Sequence, residues 1–286
     1  MQFADLAEFL SKGISSLSGG AVAILFMEDQ SETNSTIRHH VKLGFRNILV
    51  LGSEVLRVSP ELVDKIHRIP CDLRQENALT QAINPIIAVL SGRWCYYGFN
   101  AEYLFYPFCE TRSIGEVTTF ASEERRDSIL TYVIDLYAES LETHPDGVSL
   151  ESAQMDQSGY YAQARSRDGL VLERQLDMYG GLRWRFEEHV PVERRKIDRI
   201  GLFKAAKGLE LRPDHTFNVE EYNTYACPWH NNVTAAVCSF RAAKSLKTNA
   251  GSSAHISTFQ WHNSRKFTWH SRQLLDLGLI EPGQWF

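Results

Sequence analysis

The stretch Trp94-Cys-Tyr-Tyr-Gly-Phe-Asn-Ala-Glu-Tyr-Leu-Phe-Tyr-Pro107 decides how the fold of this chain is interpreted. It is dense in aromatic residues and ends at a proline, a profile that predicts a β-strand. Asn100 and Glu102 lie two positions apart within it, so on a strand they would point to the same face. Buried polar side chains cost free energy unless they are paired. The two residues therefore form either a hydrogen-bonded pair at a strand end or an edge that holds a ligand or a metal ion.

A continuous apolar run at residues 21–27 precedes this stretch, as does Asn47-Ile-Leu-Val-Leu-Gly52, whose central residues are apolar. Such runs are typical of strands that are buried on both faces. Between them, Thr33 to Leu43 has the pattern of a helix closed by Gly44. A strand, a helix and a strand within about thirty residues predict the βαβ unit of a parallel sheet. We therefore expect an α/β fold with a Rossmann-type mixed sheet flanked by helices.

The second half of the chain has a less regular pattern. We expect a helix from about residue 123 to 142, loops and short strands over 148–192, and a helix from about 233 to 246. The expected organisation is a core of residues 1–192 and a C-terminal helical and loop extension of residues 193–286. The extension would pack on the core and complete its site, or the two parts would form one continuous domain.

Composition narrows the class of protein. The chain has 286 residues and a formal charge of −5, which argues against a nucleic-acid binder because such proteins present a basic face. Its five cysteines are an odd number without the spacing of a secreted framework, and this pattern predicts reduced thiols. We see no signal-peptide pattern, and the longest apolar run is too short to span a bilayer. The expectation is a cytoplasmic protein without a transmembrane segment.

Several candidate groups lie in the C-terminal part. The pair Glu220-Glu221, or Asp214, could act as a general base, although a solvated pair is an equally good interpretation. The basic residues after position 193, including Lys204 and Lys207, form either a solvated face or a contact for phosphate. Cys227-x-x-His230 has half the spacing of a zinc site. No GxGxxG, GxxxxGK or GxSxG pattern occurs in the N-terminal half, so dinucleotide, P-loop and α/β-hydrolase sites have no support there.

The residues of the N-terminal half resemble a known family. Ala21-Val-Ala-Ile-Leu-Phe-Met-Glu-Asp29 is followed by Ile37-Arg-His-His-Val-Lys-Leu-Gly-Phe45 and Ile48-Leu-Val-Leu51. Phe99-Asn-Ala-Glu-Tyr-Leu104 stands where that family has Asp-x-Asp-Glu-Phe-Leu. Over roughly residues 20 to 110 the chain resembles family 2 glycosyltransferases with a GT-A fold, in particular a divergent bacterial branch. A looser likeness reaches the His-containing loop Trp229-His-Asn-Asn232.

The resemblance implies a site for a nucleoside diphosphate sugar. Its residues would be Phe26, Met27, Glu28 and Asp29 around the nucleotide, with Asn100 and Glu102 near the sugar diphosphate. Both aspartates of the family's metal motif are replaced, by Phe99 and Ala101. The implied cofactor is therefore Mg²⁺ or Mn²⁺ with Glu102 as a ligand, or the reaction is independent of metal and basic side chains replace the ion.

We interpret the chain as a glycosyltransferase that transfers a sugar to an unknown hydroxyl acceptor, such as a glycan. In this hypothesis Glu220, Glu221 or Asp214 deprotonates the acceptor, and Lys204, Lys207 or His230 stabilises the departing diphosphate. The main alternative is a non-catalytic protein of the same fold that binds a nucleotide or a glycan, or acts as a scaffold. A second alternative is a metal-dependent hydrolase that uses the histidine-rich C-terminal half.

Overall fold

A computed structural model describes residues 1–225 and 232–285. Its strands are β1 Val22–Met27, β2 Asn47–Gly52, β3 His67–Pro70, β4 Trp94–Phe99, β5 Glu102–Phe105, β6 Ser128–Ala138, β7 Ala153–Asp156, β8 Tyr161–Arg167, β9 Leu170–Tyr179, β10 Asp198–Lys204, β11 Ala235–Ser239 and β12 Ser264–Lys266. Its α-helices are α1 Leu6–Glu8, α2 Thr33–Lys42, α3 Pro60–Val63, α4 Ala78–Val89, α5 Ile114–Glu123, α6 Gly181–Arg185, α7 Arg241–Thr248, α8 Ala250–Ser253 and α9 Ser271–Asp276. A π-helical turn covers Phe9–Gly13, and 3₁₀ turns cover Ile14–Ser16, Glu187–His189, Val192–Arg194 and Glu220–Asn223.

The chain divides into two compact units. The first comprises Met1–Tyr103, Cys109–Leu130 and Ile200–Asn223, and the second comprises Leu104–Phe108, Thr131–Arg199 and Thr224–Phe286. The expected boundary at residue 192 falls within a segment of the second unit. The predicted roles of the two parts stay a prediction: a binding core in residues 1–192 and a part that completes the site in residues 193–286.

The first unit is built on a mostly parallel sheet. Its strands follow the order β3-β2-β1-β4, and β10 joins β4 in the antiparallel direction. β1 and β2 are buried along their whole length, as their continuous apolar sequences require. Helices α2 and α4 connect successive parallel strands. The predicted α/β fold with a Rossmann-type mixed sheet flanked by helices is confirmed.

The second unit contains antiparallel and parallel pairs. β7 pairs with β6 and with β12 in the antiparallel direction, and β11 runs parallel to β6. A separate hairpin is formed by β8 and β9. The helix expected over 123–142 is wrong, because α5 ends at Glu123 and β6 occupies Ser128–Ala138. The helix expected over 233–246 is wrong in its first half, because β11 occupies Ala235–Ser239 and α7 begins only at Arg241.

Apolar packing explains both differences. β6 has the sequence Ser128-Ile-Leu-Thr-Tyr-Val-Ile-Asp-Leu-Tyr-Ala138 and is buried at every position. Its β-branched and aromatic residues favour a strand, although some of them also fall at helical spacing.

None of the helices in the described segments is long and apolar enough to cross a membrane.

Gly52 allows β2 to approach β1 closely at the carboxyl end of the sheet. A Cβ atom at this position would lie 2.8 Å from the carbonyl oxygen of Met27, which is backbone and cannot rotate away. We expect Gly52→Ala to lower the free energy of unfolding by about 1–3 kcal/mol, as overpacking does elsewhere. Urea titration followed by circular dichroism measures this loss.

Gly19→Ala is the matched control. No atom lies within 4 Å of a Cβ atom at Gly19, so this substitution should be neutral or slightly stabilising. Equal urea midpoints for the two variants would contradict the close approach of β1 and β2.

Candidate active site

Asn100 follows the carboxyl end of β4 and holds the loop that leaves β1. It is completely buried. Its Oδ1 accepts a hydrogen bond from the backbone N–H of Glu28 at 2.9 Å. Its Nδ2 donates to Oδ1 of Asp29 at 2.7 Å and to the carbonyl oxygen of Ser31 at 2.8 Å. One side chain thus ties three successive parts of the β1–α2 loop to the end of β4.

This tie lies at the switch point of the parallel sheet. β1 is flanked by β2 on one side and by β4 on the other, so the connections leave the two sides in different directions. In open α/β sheets such a point leaves a crevice beyond the carboxyl ends of the strands, where ligands bind. Glu28 and Asp29 are exposed at this end of the sheet. Met27, the last residue of β1, is buried and packs within the sheet.

A tight turn that contains Asn100 separates β4 from Glu102, the first residue of β5. β4 ends at Phe99, and Ala101 has a φ of 58°, in the left-handed region. The Oε2 atom of Glu102 accepts the backbone N–H of Phe99 at 2.9 Å across this turn. The expectation of one continuous strand from Trp94 to Pro107 is therefore wrong. The alternation rule that placed Asn100 and Glu102 on one face does not apply across a turn.

The side chain of His40 interacts electrostatically with that of Glu102. It is completely buried and packs on the ring of Tyr96 with the ring centroids 5.0 Å apart. Burial, together with the charge of the neighbouring His39, lowers the pKa of His40 to about 3, against the opposing effects of the Thr36 hydrogen bond and of Glu102. His40 is neutral at physiological pH, and its Nδ1–H donates to the carbonyl oxygen of Thr36 at 2.8 Å. It therefore provides no positive charge to a phosphate.

The surroundings of Glu102 do not fit a divalent cation. Its carboxylate is fully buried and already accepts a backbone hydrogen bond. The amide of Asn100 is used in three hydrogen bonds to the β1–α2 loop. Within residues 1–225 and 232–285, no group of three His, Cys, Asp or Glu side chains is arranged to hold a metal ion. The expectation of Glu102 as a metal ligand thus gains no support from its geometry.

Lys204 lies at the opposite end of β4 from Asn100. It pairs with Trp94, the first residue of β4, and its Nζ is 3.6 Å from Oδ1 of Asp127. The five-residue step from Trp94 to Phe99 spans roughly 17 Å at about 3.3 Å per residue. Lys207 is exposed three residues after Lys204. Because β10 runs antiparallel to β4, the structure does not bring Lys204 to the crevice.

The predicted general bases lie together in residues 208–223. The Oδ1 atom of Asp214 accepts the backbone N–H of Thr216 at 3.1 Å and its hydroxyl at 2.7 Å. Glu220 pairs with Arg212 at 3.3 Å, and Glu221 is exposed. These contacts stabilise the turns of this segment. His230 and Cys227 lie outside the described residues.

Sequence reasoning missed a buried charged cluster in the second unit. The Oδ1 atom of Asp156 accepts hydrogen bonds from the Tyr137 hydroxyl at 2.6 Å, from Trp261 Nε1 at 2.7 Å and from Arg185 at 3.0 Å. Asp135 is also buried, and its Oδ1 has no hydrogen-bond partner among the described residues. The assignment of this region to a helix hid the cluster, since a strand would have placed Asp135 and Tyr137 on one face.

Asp135 is less well compensated than Asp156. Its Oδ2 accepts the backbone N–H of Arg183 at 3.4 Å, and the Arg183 Nε atom is 3.8 Å from Oδ1. Burial raises the pKa of Asp135 to about 6, and the charge of Asp156 adds to this effect against the attraction of Arg183. The carboxyl group can therefore take up a proton near neutral pH.

Comparisons with known proteins give little further guidance. No protein-family model matches the chain, and no curated protein matches it. Among solved structures, UDP-glucose pyrophosphorylase from Acinetobacter baumanii is similar in arrangement, with 10% sequence identity and a TM-score of 0.37. That match covers 91% of this chain and 99% of the other. A likeness this weak carries no argument about what the chain binds.

Asp135→Asn is expected to change how stability depends on pH. Because the pKa is about 6 in the folded chain and about 3.9 when unfolded, the folded state binds more protons between these values. The wild-type free energy of unfolding should therefore fall as pH rises through this window, by about 3 kcal/mol from this group. Asp135→Asn should remove most of that fall and be the more stable protein at pH 7. Urea titrations at pH 4 to 8 measure both effects.

Asp156→Asn is the contrasting variant. It leaves the buried Arg185 without its counterion, and we expect it to lose stability at pH 7 by about 3–5 kcal/mol. If Asp135→Asn is the less stable protein at pH 7 and keeps the wild-type slope, Asp135 is ionised in the folded chain at low pH and the account of this cluster is wrong.

Proposed function

We propose that this chain is a glycosyltransferase that takes its sugar from a nucleoside diphosphate sugar and transfers it to a hydroxyl acceptor. One observation carries the proposal: Asn100 fastens the exposed Glu28–Asp29 loop across the switch point of a Rossmann-type sheet. This is the position at which open α/β sheets bind nucleotides. The sequence resemblance to family 2 glycosyltransferases supports the same choice.

The chemistry of the loop suits one end of the donor. Glu28 and Asp29 carry carboxylates, which accept hydrogen bonds and repel phosphate. The N–H groups of a nucleobase and the hydroxyls of ribose are the donors that such acceptors bind. We therefore assign the nucleoside to the Glu28–Asp29 loop and the diphosphate to a position further from these charges.

The proposed reaction is one displacement at the anomeric carbon. The oxygen of the acceptor hydroxyl forms a bond to that carbon, and the bond from the carbon to the diphosphate oxygen breaks with its electron pair. The hydroxyl proton passes to a carboxylate, for which Asp214, Glu220 and Glu221 stay the candidates. Glu221 is exposed, Asp214 accepts a hydrogen bond from the Thr216 hydroxyl, and Glu220 pairs with Arg212.

The charge on the departing diphosphate must be offset. Because Glu102 does not fit a divalent cation, no step is assigned to Mg²⁺ or Mn²⁺. Lys204 is left out of the proposed site because it lies at the other end of β4. Lys207 and His230 stay predictions for this role, and His230 lies outside the described residues.

The second candidate is a binding protein without transfer activity. It is favoured by the use of Asn100 and Glu102 in holding the backbone of the loop and the turn. Such a protein would bind the nucleotide sugar and leave it intact. NMR of a bound donor distinguishes the two candidates. A transferase releases free sugar or nucleotide from the donor, and a binding protein leaves the donor intact.

Calorimetry with UDP, GDP and their glucose or mannose conjugates, with and without Mn²⁺, tests the nucleotide site. We expect saturable binding of at least one of these compounds. Asn100→Ala should weaken that binding by about tenfold, because it removes the three hydrogen bonds that order the loop. The measurement is the dissociation constant at constant buffer and salt.

Lys12→Ala is the control for a surface change in the same unit, since the Lys12 side chain is mostly exposed and its ion pair with Glu8, at 3.1 Å, lies at the surface. It should keep the wild-type dissociation constant. Absence of heat with every compound under both conditions would overturn the nucleotide proposal, and equal affinities of wild type and Asn100→Ala would place the site elsewhere.

A further inference from the structure

Trp184 and Trp261 of the second unit both lie next to the backbone of Gly159. Gly159 has a φ of 94° and carries no side chain. A Cβ atom there would lie 3.6 Å from Cη2 of Trp261 and 3.8 Å from Cζ3 of Trp184. The benzene edges of the two indoles therefore flank Gly159, and a Cβ atom at this position would be in van der Waals contact with both rings. We call Gly159, Trp184 and Trp261 the tryptophan platform.

Trp261 is held in a fixed orientation. Its Nε1–H donates to Oδ1 of Asp156 at 2.7 Å. The guanidinium carbon of Arg185 lies 4.6 Å from the ring centroid of Trp261. Arg185 is itself fixed by Asp156 and by the carbonyl oxygen of Phe259, at 3.0 and 2.6 Å. The ring of Trp261 is therefore a rigid part of the platform, and it loses little conformational entropy when a ligand binds beside it.

Trp184 is exposed to solvent without a partner in the described part of the chain. Its side chain belongs to α6, one residue before Arg185, and 41% of Trp184 is accessible. Its indole N–H donates no hydrogen bond to the described residues, and none of their rings stacks on it. Tryptophans with one apolar face and one available N–H are typical of binding surfaces.

The rim of the platform is polar. Ser158 and His262 are both exposed, and the ring of His262 lies 4.7 Å from the ring of Trp261. Hydroxyl and imidazole groups can donate and accept hydrogen bonds at the edge of a ligand. An exposed indole beside hydroxyl and imidazole groups matches a pyranose ring, which has C–H groups on its faces and hydroxyls around its edge. An acyl chain would gain nothing from this rim.

We propose that the tryptophan platform binds a carbohydrate, with a pyranose ring stacked on Trp184 and its hydroxyls bonded to Ser158 and His262. The platform is built entirely from residues of the second unit, so it needs no nucleotide. It can therefore be tested separately from the donor site.

The test uses the full chain, a glycan microarray and titration of tryptophan fluorescence. Cellohexaose, maltohexaose and chitohexaose are the first soluble probes, followed by any glycan that the array retains. We expect at least one glycan to give saturable binding, and Trp184→Ala to weaken it by about tenfold. Trp184→Phe keeps an aromatic face and should recover most of the affinity.

Leu170→Ala is the matched control, because Leu170 is an apolar residue of the same unit that is 72% exposed and lies on the hairpin. It should bind the glycan as the wild type does. Equal melting temperatures of the variants show that each is folded. The proposal is overturned if the array retains nothing, or if Trp184→Ala binds as tightly as the wild type.

The donor-site proposal and the platform proposal can be overturned independently of each other. Trp184→Ala should keep the wild-type affinity for nucleotides in calorimetry. Nucleotide binding without glycan binding would overturn the platform alone. Glycan binding without nucleotide binding would overturn the donor site and leave the platform in place.

Discussion

The hydrogen bonds of one buried amide, Asn100, determine the shape of the crevice in the first unit. A buried amide is tolerated only when its donors and acceptor are satisfied, and here the backbone of the β1–α2 loop satisfies them. The same bonds fix the loop, because removing the amide would leave the Glu28 N–H and the Ser31 carbonyl without this partner. The loop and the end of β4 are thus one structural element. Any ligand of the crevice meets a surface that is largely formed in advance.

Much of the first unit could be predicted from the sequence. The apolar runs that become β1 and β2, with a helix of the expected length between them, suffice for a parallel sheet. The residues Glu28, Asp29 and Asn100 could also be placed together, since both strands end at the same edge of the sheet. The turn at Ala101 could not, because alanine rarely adopts a positive φ and nothing local indicates it.

Long-range pairing explains what the sequence did not reveal. Lys204 is the last residue of β10, whose direction is set by its partner β4, and no local pattern shows that this pairing is antiparallel. Asp135 lies in a run whose apolar residues fit a helix and a strand alike, so its burial beside Asp156 was hidden. The tryptophan platform depends on Gly159, Trp184 and Trp261, which are far apart in sequence and meet only in the fold.

The most direct test of the central claim is amide hydrogen exchange with and without saturating UDP. The account predicts slower exchange in peptides that cover residues 28–32 and 98–102, because a nucleoside at the crevice would order the loop that Asn100 already holds. Unchanged exchange in both peptides, with protection confined to the second unit, would contradict it. That result would show that the nucleotide does not bind at the switch point of the sheet.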